Sequence, residues 1–367
     1  MALTNATDLA QFTSGISTTP VVAQVSNKSV GIGTTNPTSR LHVIGDELVV
    51  GVVTANAFFG NGSGLTNIPS ALKDASGNIG VGSTARFITA PTYNVGMGST
   101  STGNPNVQSG SNNTSIGRFA GSCLTTGSNN TFIGCCAGSQ VDSASSNFFV
   151  GRCAGAKITS GGSNIFLGSK AGCEATTAQF SVLIGQQTGS GSAASPNTGA
   201  SNNMIGPNAG RCNSSGGYNN FFGDAPGFSN TSGCHNNFLG ATAGSKNATG
   251  CYNNFFGRNA GRYFVASNNV AIGNSALRGS NGNSTGFDNI AIGELAGCSV
   301  TTGKDNVFMG KYAGCSNTTA NFNTIIGVSA GQKTTIGGYN TFIGRFAGRC
   351  NTEGCNNTFI GKTAGCK

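Results

Sequence analysis

The amino-acid sequence predicts an all-β fold: a repetitive β-solenoid, or β-roll, with coils of about 17 residues, assembled as a packed or intertwined homotrimeric fibre. Three observations carry that expectation. The 367 residues include 60 glycines, only 8% charged residues and no tryptophan, a composition that disfavours helices, while 23 phenylalanines in many short apolar runs exclude a simply disordered chain. A single glycine returns at a nearly constant interval over the last two thirds of the chain. Beside it stands a recurrent phenylalanine.

The glycine closing SNNTFIG (residues 128–134) recurs at Gly117, Gly134, Gly151, Gly168, Gly185, Gly206, Gly223, Gly240, Gly257, Gly273, Gly293, Gly310, Gly327, Gly344 and Gly361. Eleven of the fourteen intervals are 17 residues, and the others are 21, 16 and 20. That period is too short for a helix pair or a propeller blade and suits one solenoid coil with two short strands and two turns. At about 4.8 Å per coil the repeats would make a rod roughly 70 Å long.

With that glycine as position 0, the other columns acquire meanings. Position −4 is Asn in fourteen of fifteen units, among them Asn113, Asn130, Asn147, Asn164, Asn306, Asn340 and Asn357, with Ser181 the exception. Asparagines there suit either left-handed turns or a ladder of side-chain amides bonded from coil to coil. Position +3 is Ala in thirteen units, marking where opposing walls come close, and +4 is Gly in fourteen, with Leu277 departing. Position −1 is always apolar, and −2 is most often Phe: Phe132, Phe149, Phe166, Phe221, Phe238, Phe255, Phe308, Phe342 and Phe359.

Strand alternation sends −1 and −2 to opposite faces. One column fills the coil, and the other forms a stripe that soluble monomers rarely expose. Burial of each phenylalanine is worth roughly 2 to 3 kcal/mol. The phenylalanines are therefore expected to form the trimer interface around a threefold axis. A single thick solenoid enclosing both columns is the alternative.

The units SNNVAIGNSAL (267–277) and FDNIAIGELAG (287–297) resemble the head repeats of trimeric autotransporter adhesins, a family whose resemblance implies a left-handed β-roll packed as a trimer. Further upstream, GIGTTNP (31–37), LHVIGD (41–46) and FFGNGSGLTNIP (58–69) resemble segments of tail fibres and other structural proteins of bacteriophages, cyanophages especially. LHV and LVVGVV read as strands, GNGSGLTN as a turn before the shaft, and GNIGVGST (77–84) and YNVGMGST (93–100) as degenerate first coils. The organisation expected is an N-terminal attachment segment at 1–26, a small β region at 27–92 and a fibre shaft at 93–367.

Chemistry is sparse. Thirteen cysteines fall into columns: Cys136 and Cys153, Cys234 and Cys251, and Cys298 and Cys315 are each 17 apart, while Cys350 and Cys366 are nearly equivalent on successive coils. Stacking at that spacing suits disulfide staples between coils or chains, with buried thiols the plainer reading. His42 and His235 join no cluster of metal-ligand spacing, so neither metal nor cofactor is expected. Asp142, Asp224, Asp288, Glu294, Asp305 and Glu353 are scattered over different repeat positions, with no acid pair for glycan hydrolysis. Thr-Thr pairs such as Thr125-Thr126 recur in too few units for a regular array. No enzyme is expected.

A formal charge of +9 is spread thinly, which suits a solvated surface or an acidic glycan rather than nucleic acid. MALTNATDLAQFTSG has neither the basic start nor the apolar run of a signal peptide, and no segment has the length of a membrane span. The expectation is a fibre protein made in a host cytoplasm and released in the virion on lysis, giving reach and host attachment. Its partners would be two further copies, baseplate or tail proteins at the N-terminus, and a distal tip protein or host-surface glycan. The last repeat, with nothing after it, would leave an open edge. A self-assembling extracellular filament or surface adhesin is the alternative.

Overall fold

The structure, a computed structural model, describes residues 21–24, 29–32, 41–43, 72–73, 79–81, 93–98, 110–280 and 284–366. Two compact units divide between Asn67 and Ile68. In the first, β1 (Val21–Gln24) pairs antiparallel with β2 (Ser29–Ile32), which pairs in parallel with β3 (Leu41–Val43), the expected LHV strand. The LVVGVV run, the GNGSGLTN turn and most of the 1–26 segment lie outside the described residues.

The second unit is a parallel β-solenoid. After a short antiparallel pairing of β4 (Leu72–Lys73) with β5 (Ile79–Val81), β5 pairs in parallel with β6 (Val95–Met97). Fifteen three-residue strands follow, from β7 (Thr114–Ile116) to β21 (Thr358–Ile360), each in parallel register with the next. The ladder thus begins before residue 93, at the two degenerate repeats. No helix occurs among the described residues.

Each coil holds one strand, at positions −3 to −1, where two were expected. Left-handed residues interrupt every other extended run: in one coil these are Asn129 (φ 60°), Gly134 (128°), Cys136 (59°) and Gly138 (57°). The turns still bond to neighbouring coils, as Gly138 N–H to the Ala154 carbonyl (2.9 Å) and Ser146 N–H to that of Ser128 (2.9 Å) show. Hydrogen bonding therefore runs round the whole coil, although only one side is strand.

The asparagine column fixes the register. Asn113 Oδ1 accepts from both the backbone N–H (2.9 Å) and the Nδ2 (3.0 Å) of Asn130, whose Nδ2 also donates to the Ala144 carbonyl (2.8 Å). The pattern repeats through Asn147 and Asn164, and again through Asn306, Asn340 and Asn357. Ser181 continues it, since its N–H donates to Asn164 Oδ1 (3.0 Å) and its Oγ accepts from Asn202 N–H (3.2 Å).

The phenylalanines point inward, which overturns their expected role as the trimer interface. Phe132, Phe149, Phe166, Phe221, Phe238, Phe255, Phe308 and Phe342 are fully buried within the single chain, and Phe359 packs partly buried against them. Their rings stack along the coil axis, with centroids 4.7 Å apart for Phe149 and Phe166 and 4.8 Å for Phe221 and Phe238. The opposite wall is cut to fit them. Ala137 at +3 is fully buried, and a Cβ on Gly138 at +4 would sit 2.6 Å from the Phe132 ring.

One coil shows the same fit in reverse. Where −2 is the small Ala271, position +4 is Leu277, fully buried in the same core at φ 42°, with Ala291 following on the next coil. A second interior column, absent from the expectations, changes character along the rod. Leu124, Val141 and Ile158 give way to Asn213 and Asn230, whose amides bond at 2.8 Å.

In thermal denaturation, Ala271→Phe and Leu277→Gly should each destabilise by about 2–3 kcal/mol, by overfilling and by leaving a cavity. The double variant should recover most of that loss; simple additivity would refute the exchange. Asn236→Ala should cost about 2–4 kcal/mol because it strands buried donors and acceptors on both sides, whereas Asn236→Ser should cost less than half as much.

Candidate functional surfaces

Because each coil repeats the last, function has to be sought in columns. The outward strand face carries positions −3 and −1. Position −1 is aliphatic, Met or Phe in every coil and stays partly open to solvent: Phe222 is 36% exposed, Leu239 38% and Ile272 40%. Position −3 adds Phe148, Ile165 and Ile290 in some coils. In others it carries an outward amide ladder, with Asn203, Asn220, Asn237 and Asn254 bonded in sequence at 2.7–2.9 Å. An outward apolar stripe thus exists, one residue along from the phenylalanines and made mostly of smaller side chains.

A second outward column sits at −5, where every residue is left-handed. Tyr218, His235 and Tyr252 stack there with centroids 4.9 and 5.0 Å apart and planes within 5° of parallel, and Phe322 and Tyr339 form a similar pair. His235 is therefore engaged by two tyrosines, even though Cys234 precedes it. The spacing of 17 between Tyr218, His235 and Tyr252 was the signal available in the sequence.

The cysteines are all free thiols, and three of the four expected pairs are in direct contact. Sγ atoms lie 2.9 Å apart in Cys234 and Cys251, 3.1 Å in Cys298 and Cys315, and 3.6 Å in Cys350 and Cys366. Cys136 interacts with both Cys153 and Cys135, the latter at 3.3 Å. Burial and these two neighbours push the Cys136 thiol up to about 11. The Cys251 partner, then burial, push Cys234 up to about 11 as well.

Cys298 is different. Its thiol is pulled down to about 6, first by hydrogen bonding from Cys315, then by Ser299 and the Arg278 charge, against the opposing effect of burial. Cys315 is raised correspondingly, its proton shared with Cys298.

Elsewhere the surface is solvated and structural. Lys311 and Glu294 pair at 2.8 Å across successive coils, and Thr125 Oγ1 bonds to the Asp142 carboxylate. Asp224, Asp288, Asp305 and Glu353 take part in no ion pair among the described residues. No group of three or more potential metal ligands occurs among the described residues. No helix among them is long and apolar enough to cross a membrane. No family model, curated protein or solved structure matches the chain.

The depressed Cys298 thiol makes a pH prediction. It is anionic above about pH 6, so exchange of the Cys298 and Cys315 pair with a small disulfide should rise through that range and level off above about pH 7. Quenched peptide mapping across pH would measure this; a rate still climbing tenfold from pH 7 to 8 would contradict it.

Proposed function

We propose that this chain is a structural fibre protein of a phage virion, a tail fibre or related appendage that provides reach and host-surface attachment without catalysis. The observation that carries the reading is a shaft of fifteen equivalent coils with an apolar outward column unbroken along its length. Repetition of this kind gives length and stiffness, whereas catalysis calls for one exceptional place. The tail-fibre resemblance at residues 31–69 supports the virion as its location, reached from a host cytoplasm by lysis.

Within this reading the chains assemble as a homotrimer through the −1 column, which takes the place of the buried phenylalanines. At on the order of 50 Å² of exposed apolar side chain per coil, the shaft offers about 800 Å² in all, shared in a trimer between its two neighbours. A threefold arrangement is what the resemblance to trimeric adhesin heads implies. The N-terminal region binds baseplate or tail proteins, and a distal tip protein or host-surface glycan is the remaining partner. Nucleic acid and membrane insertion have no part in it. A self-assembling extracellular filament or surface adhesin is the second reading, favoured by the same outward apolar column.

Mass spectrometry of purified virions should detect the chain, and electron microscopy should show discrete short rods rather than endless fibres. In analytical ultracentrifugation the protein should sediment as three chains; a clean monomer at micromolar concentration would sink the trimer. Leu239→Lys combined with Ile292→Lys should shift the protein to monomer while the coil keeps its β-sheet circular dichroism.

A further inference from the structure

Three of the thiol pairs stack on successive coils, and two of them border a break in the aromatic core. The interior column at −2 runs Phe221, Phe238, Phe255, Ala271, Ala291, Phe308. The phenylalanine stack is thus interrupted for two coils, and two of the three intervals spanning that gap depart from 17, at 16 and 20 residues. Cys234 and Cys251 join the two coils before the gap. Cys298 and Cys315 join the second alanine coil to the first phenylalanine coil after it. In a solenoid each coil is held only by its neighbours, and Leu277 refills only the first of these two coils, so the second, with Ala291 at −2 and Gly297 at +4, is where the ladder opens first.

We propose that Cys234–Cys251 and Cys298–Cys315 are oxidative cross-linking sites that clamp the shaft on both sides of this phenylalanine gap. The inference concerns the shaft alone and stands whether or not the chain is a virion fibre. The sulfur atoms, 2.9 and 3.1 Å apart, need only rotate into bonding distance. The oxidant is a low-molecular-weight disulfide. One cysteine thiolate attacks it, the S–S bond breaks, and one small thiol leaves. The second cysteine gives up its proton and attacks the mixed disulfide, releasing the second small thiol. The protein loses two hydrogens per pair, and the oxidant is reduced to two thiols.

The test uses the full chain treated with glutathione disulfide or, in parallel, with dithiothreitol. Non-reducing peptide mapping should find peptides joined at Cys234–Cys251 and at Cys298–Cys315, each lighter by two hydrogens. Glutathione adducts on all four cysteines, or joins to other cysteines, would overturn the assignment. Oxidation should also slow proteolytic cleavage within residues 235–250 and 299–314, the segments that the two cross-links close, by roughly a hundredfold, the effect expected for a loop of about 15 residues. Cleavage unchanged in a chain mapped as cross-linked would overturn the clamp. Cys251→Ser with Cys315→Ser should match the reduced wild type in both conditions; protection surviving in that variant would assign it to other cysteines.

Discussion

The rest of the structure depends on one hydrogen-bonding arrangement: a buried asparagine whose carbonyl oxygen is shared by the backbone and side chain of the asparagine one coil on. Its amide reaches a carbonyl across its own turn, as Asn147 does to Gly161 at 3.1 Å. Two directions are thereby tied together at one residue, along the rod and across the coil. A slip of one residue would strand every buried amide at once, a cost of roughly 1–3 kcal/mol for each unsatisfied group. Fixed register in turn places phenylalanine over phenylalanine and glycine over glycine.

That register explains why the core can be so thin. Each coil contributes one large side chain and one small wall, and the large side chain gains its contacts from the coils above and below. Gly134 shows the limit of this closeness: at φ 128° its missing Cβ would lie 2.7 Å from the Gly151 carbonyl oxygen. Several polar residues in the interior are stacked on one another, as Asn213 and Asn230 are. Exceptions among the described residues include Ser115 and Thr334, fully buried with unbonded hydroxyls, and Asn317, fully buried with neither side-chain atom bonded in a column where Val300 precedes it.

Much of this was legible. The period, the invariant glycines and the asparagine column followed from spacing alone, because a 17-residue interval becomes a stacking distance once the coil closes. The cysteine contacts followed for the same reason. The direction of the phenylalanines did not, since strand alternation fixes only that −1 and −2 oppose each other. The deciding signal lay in two other columns: alanine and glycine at +3 and +4 make sense only opposite a bulky ring, and Leu277 appears in the coil that has Ala271. Single strands per coil were missed because residues such as Cys136 and Tyr218 carry no propensity for the left-handed backbone they adopt. The aromatic −5 column and the interior Asn213 and Asn230 were hidden by abundance.

The two longest coils, of 21 and 20 residues, have a use of their own. Strand register is unbroken across both, with Val182 opposite Asn203 and Val270 opposite Ile290. In the first, the surplus closes on itself through paired Ser192 and Ser195 backbone bonds of 3.0 Å before Asn197 rejoins the interior by donating to the Gly189 carbonyl at 2.8 Å. Both excursions leave the coil by the same corner, after position +4. That corner is a natural splice point, where foreign peptide could be grafted and presented at intervals counted in whole coils, like notches on a measuring rod.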